Sequence, residues 1–223
     1  MNNASGKTTI FIAGDSTATN QSLKPFAGWG QMMQTFFNAV VDNHAFSGRS
    51  TISFIAEKRL DAILEKISPG DFLLVQFGHN DQKDDERHTE PFTTYTEALK
   101  VYIASAREKG ATPVLITPVH RRRWKDGEQC DTLGDYPEAV RRLAAAEDVP
   151  LIDLHKKSGE LLAALGEEKS KDIFLHIPPG VYEYYPNGLE DDTHFSEPGA
   201  VEIAKLVVGE IRDSIPKLAE LLV

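Results

Sequence analysis

Five short apolar runs, alternating with stretches of helical periodicity, constrain this chain more than any other feature. They are "TTIFIA" (8–13), "AVVDNHA" (39–45), "DFLLVQF" (71–77), "TPVLIT" (112–117) and "VPLIDL" (149–154). Short, nearly continuous apolar runs fit strands covered on both faces, as in a parallel sheet. Helical patterns occupy 28–37, 52–67, 92–110, 136–148 and 197–215. Within 52–67, apolar positions 52, 55, 60, 63, 64 and 67 share one face. The pattern over 92–110 ends on Gly110, a residue suited to closing a helix. This alternation predicts an α/β fold, a doubly wound parallel sheet with helices on both faces. The chain has 223 residues, 41% of them hydrophobic, enough for one full core. Residues 1–223 read as a single domain, without repeats or linkers. The longest unpatterned region, 171–195, follows the fifth run, and long loops in compact domains often carry function.

Formal net charge is −10, with the acids spread along the chain. That argues against a broad nucleic-acid or anionic-membrane footprint. No run approaches the roughly 18 apolar residues of a membrane span. The expected partners are therefore neither nucleic acid nor membrane, and the expected state is a monomer or small homo-oligomer. A single cysteine, Cys130, rules out an intrachain disulfide and fits a reducing compartment. The N-terminal residues lack an apolar leader, so the expected location is the cytoplasm. "ASGKTT" (4–9) fails as a phosphate loop, because it lacks the first glycine and precedes a strand.

In an open α/β sheet, ligands bind beyond the carboxyl ends of the strands. After the first run comes "GDST" with Ser16, after the second "FSGRS" with Gly48, after the third "GHND" with Asn80. A serine hydroxyl needs a base, usually a histidine oriented by a carboxylate. His194 stands in "LEDDTHFSEPGA", directly before the last amphipathic stretch, and Asp191 lies three residues earlier. One local turn can set that carboxylate against the imidazole. An ester-cleaving site also needs donors for a developing oxyanion. The Ser16 N–H, the Gly48 N–H and the Asn80 amide are the candidates.

Four blocks in this order, "GDST", "FSGRS", "GHND" and "DDTH", resemble the SGNH, or GDSL-type, hydrolases. "GDSTAT", "GWGQ", "GRST", "FGHNDQKD", "GDYPEAVRRLA", "VPLIDLH" and "DDTHFSEPGA" are similar to the rhamnogalacturonan acetylesterase branch. The resemblance implies a flavodoxin-like three-layer α/β/α sandwich with a five-stranded parallel sheet. It also implies a two-step serine mechanism without cofactor or metal. Ser16 would be the nucleophile, His194 the general base and then acid, and Asp191 its orienter, with adjacent Asp192 as competitor. Ser16, Gly48 and Asn80 would form the oxyanion hole. The implied activity is removal of acetyl groups from pectin-derived rhamnogalacturonan saccharides. Acetylated oligosaccharides taken into the cell are the expected substrate. The alternatives are an acetylesterase on other acylated sugars, such as xylan fragments, and a non-catalytic module binding phosphate or flavin.

Four further residues are candidates for substrate contact. His79 sits beside the expected oxyanion hole, and also suits a purely structural hydrogen bond. Arg49 adjoins Gly48. Arg122 and Trp124 belong to "HRRRWK" (120–125), a basic and aromatic patch in an acidic chain. Such a patch can bind an acidic sugar, or its arginines can simply pair with nearby acids. "DQKDDERH" (81–88) reads as a solvated charge run rather than a metal site. Asp81 within it reads as a brace for the turn presenting Asn80.

Overall fold

Each apolar run supplies a strand of one central sheet. The computed structural model describes residues 7–223; residues 1–6, with the start of "ASGKTT", lie outside the described residues. The strands are β1 (Thr9–Gly14), β2 (Phe26–Ala27), β3 (Val40–Asn43), β4 (Phe72–Gln76), β5 (Thr112–Ile116), β6 (Trp124–Lys125), β7 (Glu128–Gln129), β8 (Leu151–Ile152), β9 (Phe174–Ile177) and β10 (Leu189–Ser196). The helices are α1 (Trp29–Met32), α2 (Thr51–Ala56), α3 (Arg59–Leu64), α4 (Thr96–Glu108), α5 (Tyr136–Ala146), α6 (Leu154–Lys169), α7 (Glu197–Ser214) and α8 (Pro216–Ala219). The central sheet runs in the order β3-β1-β4-β5-β8. All its neighbouring strands are parallel. The reversal of order around β1 and β4 is the place where such sheets bind ligands.

Successive strand residues face opposite sides, and the core divides accordingly. Ile10, Ile12, Leu74, Val114 and Ile116 pack with Ile203, Val207 and Ile211 of α7. Phe11, Leu73, Val75 and Leu115 pack with Phe54, Ile63, Leu99, Tyr102, Val140 and Leu143 from α2 to α5. Each such aliphatic or aromatic side chain stabilises the fold by about 1.5–3 kcal/mol on burial. The result is the expected three-layer α/β/α sandwich.

Local structure departs from the sequence pattern in several places. The 52–67 stretch breaks into α2 and α3 at Lys58, whose φ of 57° is left-handed. No glycine or proline signals that break. The 28–37 stretch holds only α1 and a 3₁₀ turn, Met33–Phe36. The fifth run forms just two paired residues, because Asp153 already caps α6 through Lys156 N–H at 3.3 Å. Helix α6 itself was not among the predicted helices; its buried face is only Leu154, Ser158 and Leu162. The unpatterned 171–195 region supplies β9 and nearly all of β10, which join β2 in a second sheet, β2-β10-β9, with antiparallel pairing. Its register shifts between Asp191 and Phe195. No described helix is long and apolar enough to cross a membrane.

Candidate active site

Strand β1 ends at Gly14, and the chain turns at once, with Ala18 N–H donating to the Asp15 carbonyl at 3.1 Å. The Asp15 side chain holds that turn. Its Oδ1 accepts from Thr17 N–H at 2.9 Å and Thr17 Oγ1 at 2.7 Å, and its Oδ2 lies 3.1 Å from His79 Nδ1. Burial pushes the Asp15 pKa up, but the charge and hydrogen bond of His79 and the bonds from Thr17 hold it below the ordinary value. Ser16 is thereby fixed at the carboxyl edge of the sheet, 8% exposed.

His194 approaches from the second sheet, inside the register shift of β10. Irregularities of this kind re-aim side chains near functional sites. His194 Nε2 lies 2.9 Å from Ser16 Oγ, and its Nδ1 lies 2.7 Å from Asp191 Oδ2. The other oxygen, Asp191 Oδ1, accepts from Thr193 N–H at 2.8 Å and His194 N–H at 2.9 Å. Partial burial raises the Asp191 pKa, but these bonds outweigh it and bring the carboxyl down to about 2. The Phe26 ring and the imidazole pack edge to face, centroids 4.9 Å apart. Asp192 points elsewhere: its Oδ1 accepts from Arg122 at 2.9 Å and lies 2.8 Å from His176 Nε2.

Gly48 has a φ of +80°, the left-handed region that only glycine enters without strain. Among the described residues, neither Ser16 N–H nor Gly48 N–H has a protein acceptor. Asn80 Nδ2 donates to the Arg49 carbonyl at 3.0 Å, using one of its two hydrogens. Arg87 ties these loops together. Its Nη1 lies 3.2 Å from the Gly48 carbonyl and 3.4 Å from Asn80 Oδ1, while Asp85 clamps the guanidinium. Arg87 lies inside the run that the sequence presents as solvated charge, with no local signal of its role. Asp81 Oδ1 accepts from Thr51 N–H at 2.9 Å and Thr51 Oγ1 at 2.6 Å, joining the Asn80 turn to α2.

The four substrate-contact candidates fare differently. His79 is 3% exposed, and its second nitrogen lies 3.0 Å from the Val119 carbonyl, so both ring nitrogens are spent on the scaffold. Arg49 pairs with Glu57 at 2.9 Å and lies over the Phe46 ring. Arg122 is buried, and each of its three guanidinium nitrogens is engaged, by the Ser170 hydroxyl, Asp192 and the Glu167 carbonyl. Trp124 belongs to the β6–β7 hairpin, and its indole N–H is buried without an acceptor among the described residues. In "HRRRWK", Arg121 is the residue tied to the His79 loop that braces the Ser16 turn. It donates to the His79 carbonyl at 3.3 Å and feels the charges of Asp15 and Asp191. Identical neighbours in the sequence hide that choice. A cleft of about 480 Å³ opens beside Gly48, lined by Arg49, Ile52, Glu57 and Arg87 among others.

A hydroxyl hydrogen-bonded to an imidazole, itself held by an ionised carboxylate, can be deprotonated as it attacks a carbonyl. Free N–H groups beside it can receive the charge that develops. The profile of the GDSL-like Lipase/Acylhydrolase family matches residues 12–200. Rhamnogalacturonan acetylesterase RhgT of Bacillus subtilis is 48% identical over 209 residues, 92% of this chain and 89% of that protein. "Probable rhamnogalacturonan acetylesterase YesY", from the same organism, is 44% identical, with 92% of each chain covered. In the crystal structure of YxiM, also from Bacillus subtilis, the fold superposes with a TM-score of 0.79 at 28% identity, covering 93% of this chain and 57% of that one. With its sheet, its four sequence blocks and these relatives in agreement, the chain belongs to the GDSL-like lipase/acylhydrolase family.

Proposed function

We propose that this protein is a serine acetylesterase that removes O-acetyl groups from rhamnogalacturonan saccharides. Ser16 Oγ attacks the acetyl carbonyl as His194 Nε2 takes its proton, and Asp191 orients the imidazole and balances its charge. The carbonyl oxygen becomes an oxyanion received by Ser16 N–H, Gly48 N–H and the free amide hydrogen of Asn80. The tetrahedral intermediate collapses, the C–O bond to the sugar breaks, and His194 protonates the leaving hydroxyl. Water then enters, gives its proton to His194 and attacks the acetyl-enzyme, releasing acetate and restoring Ser16. Proton transfer of this kind contributes roughly 10²–10⁴-fold in rate, and each oxyanion donor roughly 10²–10³-fold.

The observation that carries this reading is the continuous chain Ser16–His194–Asp191, with contacts of 2.9 and 2.7 Å. The substrate class rests on the relatives RhgT and YesY, similar over nearly the whole chain. Ser16→Ala is expected to abolish acetate release from p-nitrophenyl acetate and from acetylated rhamnogalacturonan oligosaccharides, with an unchanged circular dichroism spectrum. Undiminished turnover in that variant overturns the mechanism. A wild-type preference for acetylated xylan over acetylated rhamnogalacturonan overturns the substrate assignment.

A further inference from the structure

We propose that His120, Asp131 and His155 form a binding site for a zinc-class divalent cation, separate from the Ser16 group. One donor atom from each of the three side chains lies within 4.8 Å of the others. They come from different places in the fold: just after β5, from the loop beyond the β6–β7 hairpin, and from the first turn of α6.

His120 is presented as a metal ligand usually is. His120 Nδ1 lies 2.7 Å from the Arg121 carbonyl. A carbonyl only accepts, so Nδ1 carries the hydrogen and Nε2 keeps its lone pair. A backbone carbonyl on the second ring nitrogen is the usual support for a ligating histidine. The Gln129 amide also approaches Nδ1, but at 3.4 Å the Arg121 contact is the shorter and decides the tautomer. The backbone on both sides is pinned, His120 N–H to Ser158 Oγ at 2.9 Å and His155 N–H to Thr117 Oγ1 at 2.8 Å. The two rings stack with centroids 4.8 Å apart and planes at 27°, and a shared ion requires one ring to turn out of the stack. Asp131 is oriented by Leu133 N–H, which donates to its Oδ1 at 2.8 Å.

The ordinary alternative is a His155–Asp131 hydrogen bond beside a stacked His120. That contact is 3.3 Å, long for a charge-assisted hydrogen bond. It is close to the separation, roughly 3.4 Å, of two ligands held tetrahedrally on one zinc ion. Among the described residues His120 Nε2 has no hydrogen-bond partner, and it stays open to a ligand from solvent. Two imidazoles and one carboxylate are a donor set that suits zinc and its neighbours rather than magnesium or calcium. The Asp131 side chain is 45% exposed, which supplies the entry path. A bound cation would join the end of β5, the start of α6 and the loop between them. None of the three residues takes part in the proposed ester chemistry, so either proposal can fail without the other.

The test uses tag-free protein stripped with a chelator and titrated with ZnCl2 by calorimetry, and with CoCl2 by visible absorption. One equivalent of zinc is expected to bind, with ligand-field bands on cobalt loading. Asp131→Asn and His155→Gln should each weaken binding by about tenfold or more. His88→Gln, at a surface histidine paired with Glu90, should leave it unchanged. Asp131 is exposed enough that its variant is expected to stay folded, checked by circular dichroism. Absence of saturable binding by the wild type overturns the proposal. So does an unaltered isotherm in both Asp131→Asn and His155→Gln.

Discussion

Two aspartates stand side by side in "DDTH", and their surroundings separate them completely. Asp191 puts one oxygen on His194 and the other on two backbone N–H groups. Asp192 neutralises Arg122 and meets His176. Asp191→Asn preserves shape but cannot hold the same imidazole tautomer with a charge. Its kcat is expected to fall on the order of 10³–10⁴-fold, by analogy with the worked serine-triad case. Asp192→Ala leaves the imidazole alone and strands the buried Arg122. A lower melting temperature with most of kcat retained is expected for it. Parallel measurements of acetate release and thermal unfolding on both variants check the assignment. Equal losses of kcat would refute it.

At the scale of elements, the start of α7 positions His194. Ser196 caps the helix, its Oγ accepting from Gly199 N–H at 3.1 Å while donating to the Asp172 carbonyl at 2.9 Å. Gly199 allows α7 to lie against the turn before β9. A Cβ there would stand 1.8 Å from the Ile173 carbonyl oxygen and 2.7 Å from Ile173 Cα. Backbone cannot move aside cheaply, so Gly199→Ala must shift the helix or the second sheet. A loss of about 1–3 kcal/mol in stability is expected, typical of overpacking. Activity should fall with it, since His194 precedes the cap by two residues. Urea midpoints and residual kcat measure both effects, and wild-type values for both would show that this junction is pliable. The periodicity of α7 and its place after "DDTH" were legible in the sequence. The antiparallel sheet ahead of it was not, because β2 and β9 are short, β10 is broken by a register shift, and β2 lies far away in the chain.

Over the whole molecule, two carboxyls give stability opposite dependences on pH. Asp81 is buried, its Oδ2 without a partner among the described residues, and burial lifts its pKa to about 6. A carboxyl raised above its unfolded value of 3.8 holds its proton more tightly when folded, so it stabilises as pH falls from neutrality through about 6. Asp191 is depressed to about 2, so its contribution is complete above 3.8 and lost as pH falls towards 2. Asp85, also held near about 2, acts in the same direction. Melting temperatures should therefore rise from pH 7 to pH 5 and decline below pH 4. In Asp81→Asn the rise should be smaller, and an unchanged slope would count against this account. By itself, the sequence determined the parallel strands, the three layers and the loops bearing Ser16, Gly48, Asn80 and His194, because apolar periodicity is a local property of the chain. Only the tertiary structure decided between Asp191 and Asp192 and between Arg121 and Arg122, and gave Arg87 its bridging position. Neighbouring residues of one type have the same local chemistry. Their roles diverge only when distant segments, His176 and Arg122 on one side and Ser16 and His79 on the other, supply different partners.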